Sequence, residues 1–330
     1  MDAGTPAWHP AYHAARESAA LFRPEAGLIT LTGADRVEYL NSLCTNKIVD
    51  VESGRSARAF LLNPTKGRVL ADFLACATDD ALWLECAGGS APIVLEILRK
   101  FFFGQEVEFT DVGSDWSVHS LQGPESPGLL ERTGAVLPAE EEGAHLETGI
   151  GAHQGRIIRW SDTGEAGFHL WFPAEAAPAV GAAIVEAGAI PGEAEAWTVL
   201  QIEAGVPAFG RELTEETIPL EAPTENAISH TKGCYPGQEV IARLHVRGRP
   251  ARHLRGLRIQ DSEALDPGAL LDAQDKAGVA RVTASGVSPA LGPVALAYVQ
   301  RDYCEPGTRL TAPDGRAAEV ADLPMIPVRA

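Results

Sequence analysis

The stretch 231-TKGCYPGQEVIAR-243 decides how this sequence is interpreted, because it sets one cysteine between basic residues and a Pro-Gly turn. Lys232 lies two positions before Cys234, and positive neighbours favour the thiolate form of a cysteine. Pro236 and Gly237 supply the backbone angles of a tight turn that would present the thiol. Two interpretations stay open on this chemistry: a reactive thiol, or a small residue packed in a loop at a domain junction.

The stretch does not predict a metal site. His230, Cys234 and His245 do not have the spacing of zinc ligands, and one cysteine alone cannot hold an iron–sulfur cluster. The five cysteines are odd in number, scattered and without a C-x-x-C pair, which indicates reduced thiols and no disulfide framework.

Length and charge limit the classes of protein. A chain of 330 residues is longer than one hydrophobic core supports, so we expect two or three domains. Its 27 basic and 45 acidic residues give a net charge of -18, which repels phosphate backbones and anionic lipids. We therefore expect no direct nucleic-acid partner and no membrane. The first twenty residues lack the features of a signal peptide, so a cytoplasmic protein is expected.

A second informative stretch, 197-WTVLQIEAGVPAFGRELTEETIPLEA-222, lies upstream of the cysteine. Its apolar spacing predicts a helix ended by Gly205, with Trp197 and Leu200 on one face. Glu203 would lie at the C-terminus of that helix, where a negative charge opposes the helix dipole. Either a ligand with N–H donors compensates this carboxylate, or it is solvated.

The remaining pattern predicts an α+β protein with a β-rich tail. Two successive blocks mix predicted antiparallel strands with helices, the second containing a hairpin whose turn is Asp162-Thr163-Gly164. After Arg249-Pro250 the chain changes to short apolar strands separated by Gly and Pro, which is typical of a small barrel or sandwich.

Taken together, these motifs resemble the YgfZ family of folate-binding proteins, whose mitochondrial relatives assist iron–sulfur cluster assembly. The stretch "KGCYPGQE" looks like the family signature, and "LTGADRVEYLNSLCTN" and "IEAGVPAFGRELTEETIPLEA" look like its earlier segments. The resemblance runs from about residue 25 to residue 250. The wider superfamily includes the aminomethyltransferase of the glycine cleavage system, which transfers a one-carbon unit to tetrahydrofolate.

The resemblance implies a GcvT-like ring of three lobes around a folate channel: two ferredoxin-like α+β lobes and a C-terminal β-barrel. It places the first, folate-binding lobe at 1–49 and 114–240, the inserted second lobe at 50–113 and the barrel at 241–330. It also implies tetrahydrofolate as cofactor, iron–sulfur client enzymes (among them those of tRNA modification) or assembly proteins as partners, and a monomer.

Residue roles follow from the same resemblance. Glu203 corresponds to the carboxylate that contacts the pteridine ring, and Trp197 to a residue lining the folate site. Cys234 and Lys232 are assigned to the reactive centre. Three further residues are assigned to binding the cofactor: Tyr235, Gln238 and Arg243.

Two departures bear on the activity. Where the aminomethyltransferase has a Gly-Gly-x-x-Asp-Asp run, this chain replaces one acid by Ala71 and keeps Asp72. A second tryptophan position of the folate site falls at Ala26.

These observations support three hypotheses. The first is a tetrahydrofolate-binding accessory protein for assembly or repair of iron–sulfur clusters, with Cys234 as nucleophile, transient cluster ligand or redox sensor. The second is a folate-dependent aminomethyltransferase, against which Ala71 counts. The third is a folate-binding scaffold in which Cys234 only packs.

Overall fold

Three β-sheets organise the chain, and the computed structural model describes residues 6–327 of it. The α-helices are α1 His9–Glu17, α2 Arg36–Leu43, α3 Ala91–Lys100, α4 Ser126–Arg132, α5 Ala177–Glu186, α6 Ala194–Ala204 and α7 Gln238–Arg247. The strands are β1 Ala20–Phe22, β2 Ala26–Thr32, β3 Ser56–Leu62, β4 Val69–Ala77, β5 Leu82–Ala87, β6 Glu108–Asp111, β7 Trp116–Gln122, β8 His145–Ile150, β9 His153–Arg159, β10 Gly167–Pro173, β11 Ile190–Pro191, β12 Arg252–Ile259, β13 Leu270–Leu271, β14 Ala280–Ser288, β15 Gly292–Gln300, β16 Arg309–Thr311 and β17 Ala317–Ala321.

The first lobe is built on a six-stranded sheet of order β11-β1-β7-β10-β9-β8. Strand β10 is buried on both faces, and its period of two divides its side chains between two environments. Phe168, Leu170 and Phe172 pack in the core of this lobe. Trp171 faces the other way, into a cluster shared with the second lobe. His169, two positions before Trp171, lies on that same second face and is therefore carried to the junction of the lobes.

The second lobe is a five-stranded antiparallel sheet of order β3-β4-β5-β2-β6, covered by α2 and α3. The sequence assigned 50–113 to this lobe and 1–49 to the first. In the structure, residues 26–43 also belong to the second lobe, because β2 pairs with β5 on one side and β6 on the other. The side chains of α2 pack in its core through Leu40 and Leu43.

The third lobe is a six-stranded antiparallel sheet of order β13-β14-β15-β12-β17-β16. Its two edge strands meet through a bridge between Asp272 and Thr311, whose backbone N–H groups donate to each other's carbonyls at 2.9 and 2.8 Å. The sheet is thereby nearly closed, which confirms the predicted C-terminal barrel. The two mixed lobes before it confirm the predicted α+β class.

Candidate functional site

A cavity of about 720 Å³ opens where the three lobes meet, and its size is that of a site for a small-molecule cofactor. The second lobe, the first lobe with α6, and the segment after the barrel all contribute walls. Aromatic and charged side chains make up much of the cavity wall, among residues that include Phe22, Arg23, Glu25, Ala26, Arg58, Asp72, Glu85, Glu142, Trp160, Asp162, His169, Glu193, Trp197, Gln201 and Arg211.

Helix α6 presents one of its faces to this cavity. Trp197 and Gln201, four residues apart, both line it, and the half-buried indole of Trp197 packs against Phe22 with ring centroids 4.9 Å apart. The helix ends at Gly205, whose φ of +70° confirms the predicted stop. Trp197, which the family resemblance predicts to line a folate site, thus lines this cavity.

Glu203 is on a different face of α6 and does not line the cavity. Its carboxylate is fully buried and accepts hydrogen bonds from the Tyr12 hydroxyl at 2.8 Å and from Arg16 Nη2 at 2.5 Å. Burial and the adjacent Glu203 carboxylate raise the pKa of Tyr12 to about 12. The expected N–H donors exist, but they belong to Arg16 and not to a ligand. The Glu203 carboxylate is therefore not solvated, whereas its contact with a pteridine stays a prediction.

Ala71 and Asp72 are neighbours in strand β4, so their side chains point to opposite faces of the sheet. Ala71 is buried in the core of the second lobe, whereas Asp72, on the opposite face of the strand, lines the cavity. The Asp72 carboxylate accepts two hydrogen bonds from Arg58, from Nε at 2.9 Å and from Nη2 at 2.5 Å. The retained acid is the one on the cavity wall, so Ala71 does not count against a transferase as the sequence suggested.

A second charged group on the wall joins the two α+β lobes. His169 lies between the carboxylates of Glu85 and Asp162, with Nδ1 2.8 Å from Glu85 Oε1 and Nε2 2.6 Å from Asp162 Oδ2. Burial opposes the imidazolium form, but the two carboxylates outweigh burial and raise the pKa of His169 well above its usual value. Trp171 Nε1 also donates to Glu85. The turn at Asp162 was predicted from the sequence, but the contact of Asp162 and Glu85 with His169 was not.

Protonation of His169 predicts a pH dependence of stability. Because its pKa is raised on folding, the stabilisation is complete below the unfolded value of about 6.5 and is lost as pH rises through the folded value. As pH rises above the unfolded value, the free energy of unfolding of the wild type should therefore fall, with a limiting slope of about 1.4 kcal/mol per unit. Urea unfolding at several pH values measures it, and His169→Gln should flatten the slope. An equal slope in both proteins would contradict this assignment.

The residues around Cys234 are used to fix its loop. Lys232 Nζ donates to the carbonyl oxygens of Asn41, Cys44 and Asn46, each at 2.6 Å, which caps the C-terminus of α2. The Tyr235 ring is buried, and its backbone N–H donates to Gln238 Oε1 at 3.2 Å.

The turn at Gly237 packs directly on the turn that ends at Gly67. Gly237 has a φ of +83°, and a Cβ there would come within 2.8 Å of the Asn63 carbonyl oxygen. Only glycine therefore fits this contact without displacement. The close approach of the two turns therefore explains why glycine occupies position 237 of the motif.

Cys234 itself is exposed, whereas the other four cysteines are buried. Cys234 does not line the cavity, and neither do the residues assigned with it, Lys232, Tyr235, Gln238 and Arg243. Arg243 is exposed on α7. The structure thus places the predicted site residues at three locations. Trp197 lies at the cavity, Glu203 is buried against α1, and the Cys234 thiol is exposed on the loop before α7.

Residues 6–327 contain no group of three or more His, Cys, Asp or Glu side chains arranged to hold a metal ion. In that same range, helices are too short or too polar to cross a membrane.

Comparisons with known proteins agree with this architecture. The model of the GCVT N-terminal domain matches residues 5–232. An aminomethyltransferase of Streptomyces coelicolor is 31% identical over 335 residues, covering 95% of this chain and 90% of the relative. An aminomethyltransferase of Thermus thermophilus is 29% identical, with 92% and 85% covered. The crystal structure of the glycine cleavage system aminomethyltransferase T from Bartonella henselae superposes with a TM-score of 0.87 at 25% identity, covering 97% of this chain and 90% of that one.

Proposed function

Because the chain belongs to the GCVT family, we propose that it binds tetrahydrofolate in the central cavity and serves as an accessory protein in assembly or repair of iron–sulfur clusters. Cys234 is its functional thiol, and iron–sulfur client enzymes or assembly proteins are its partners. The observation that carries the proposal is the pairing of a cofactor-sized cavity with a single exposed cysteine among residues 6–327, in a loop whose sequence resembles the YgfZ signature.

The cavity walls fit a folate. Trp197 and Trp160 provide flat apolar surfaces for a pterin ring. Trp160 supplies a second indole at the cavity, where the tryptophan position of the family is occupied by Ala26. Buried carboxylates suit the N–H groups of the ring, and Arg23 and Arg211 suit the anionic glutamate tail. When bound, tetrahydrofolate supplies a carrier for one-carbon units. This chain's residues hold and orient it.

The position of Asp72 favours a second candidate, a folate-dependent aminomethyltransferase. Asp72 is a carboxylate on the cavity wall in the strand that carries the acidic run of the relatives, and its pairing with Arg58 holds it in place. Turnover of an aminomethyl donor by the purified protein with tetrahydrofolate, lost in Asp72→Asn, would establish this activity over the accessory role.

Titration calorimetry with several folates tests the shared part of both proposals. Wild-type protein should bind tetrahydrofolate, and Trp197→Ala should weaken binding by about 5- to 100-fold, which corresponds to about 1–3 kcal/mol for loss of one aromatic stacking surface. Phe103→Ala is the matched control, because Phe103 is 81% exposed and does not line the cavity. Unchanged affinity in Trp197→Ala would remove this helix face from the site.

A further inference from the structure

The buried carboxylates of the cavity differ in how much of their hydrogen-bonding capacity is already used. Both oxygens of Asp72 accept from Arg58. Glu85 is used by His169 and Trp171, with Oε1 at 2.8 Å from Nδ1 and Oε2 accepting from the indole N–H. Each oxygen of these two carboxylates therefore already has a protein partner.

Asp162 is different. Its Oδ2 accepts from Ser120 Oγ at 3.1 Å and from His169 Nε2 at 2.6 Å, but its Oδ1 has no hydrogen-bond partner within residues 6–327. The side chain is only 14% exposed and lines the cavity. One carboxylate oxygen with two lone pairs is therefore available at the wall.

The loop that carries Asp162 is fixed before any ligand arrives. The Asp162 backbone N–H donates to Gln122 Oε1 at 3.1 Å, and Gln122 is fully buried. In the same turn, the Gly164 N–H donates to Ser161 Oγ at 3.0 Å. A carboxylate held by its own backbone and by His169 needs little reordering on binding, which favours affinity.

Charge indicates the kind of ligand group that Oδ1 accepts. With His169 as imidazolium, the chain Glu85–His169–Asp162 carries one net negative charge, so a group with N–H donors complements it. The other carboxylates at the cavity, Glu25, Glu142 and Glu193, are exposed, so water competes for their hydrogen bonds.

We propose that Asp162, held in position by His169 and Ser120, is the residue that recognises the donor edge of the pterin, accepting through Oδ1 from its 2-amino group. This inference rests on the proposed function, since it assigns a contact within the folate site. Asp162 would then have the role that the family resemblance implies for Glu203, whose carboxylate accepts from Tyr12 and Arg16.

Calorimetric titration with tetrahydrofolate and with its 2-desamino-2-methyl analogue tests the assignment. Asp162→Asn should weaken tetrahydrofolate binding by about 10- to 100-fold, the range for a hydrogen bond to a charged group. Asp115→Asn, at an exposed turn away from the cavity, makes the same chemical change and should bind as the wild type does. The wild type should prefer tetrahydrofolate to the analogue by a similar factor, and Asp162→Asn should lose this preference.

The outcomes separate the two levels of the proposal. If the wild type binds tetrahydrofolate and Asp162→Asn binds it equally well or keeps the preference, Asp162 is not the recognition residue and the folate site stands. Equal binding of both compounds by the wild type overturns the assignment even if the variant does not fold. No binding of tetrahydrofolate by the wild type overturns both.

Discussion

Glu203→Gln is expected to lower the free energy of unfolding by about 3 kcal/mol, the low end of the cost of removing one partner of a buried ion pair. The carboxylate is fully buried between Tyr12 and Arg16. Glutamine keeps the shape but not the charge, so the guanidinium loses its closest compensation. Its second ion pair, with Glu165 at 3.0 Å, remains and limits the loss. Urea unfolding of the two proteins at one pH measures the difference.

A surface ion pair supplies the control for this variant. Glu141 pairs with Arg55 at 2.6 Å, but its side chain is 69% exposed, so Glu141→Gln should cost less than about 1 kcal/mol. Folate affinity separates the structural role of Glu203 from the one expected from sequence. A stable Glu203→Gln protein with weakened tetrahydrofolate binding would return this carboxylate to the folate site, whereas a destabilised protein with normal affinity supports the structure.

Local patterns were sufficient for most of the fold. Turn residues predicted the hairpin at Asp162, and short apolar runs between Gly and Pro predicted the barrel strands, because these signals act between neighbours in sequence. The membership of β2 was not predictable in this way. Its partners β5 and β6 lie far along the chain, and pairing across that distance leaves no local signal.

The contacts of the candidate site were even less predictable, because they too join residues far apart in sequence. Glu203 was visible as an unfavourable charge at a helix end, but its compensating donors are 191 and 187 residues away, on a helix that the sequence reasoning did not identify. His169 and Glu85, 84 residues apart, likewise meet only in the tertiary fold. A histidine in a strand buried on both faces was the one available signal, because such a side chain needs polar partners.

Loss of the Cys234 thiol should remove the proposed cellular function while leaving the protein intact. Cys234→Ala should fold with a stability within about 0.5 kcal/mol of the wild type, because the side chain is exposed. Its tetrahydrofolate affinity should be unchanged, since the residue does not line the cavity. In a strain lacking this protein, the variant should fail to restore the activity of iron–sulfur enzymes that the wild type restores.

Two comparisons make this loss specific to the thiol. Cys304→Ala removes a buried cysteine from the barrel core, so it should reduce stability yet still restore enzyme activity. Cys234→Ser keeps the shape of the side chain but not the nucleophilicity of the thiol or its affinity for soft metals, and it should fail as alanine does. Full restoration by either Cys234 variant would leave the loop with a packing role alone, and the folate cavity would then be the only functional site that this proposal retains.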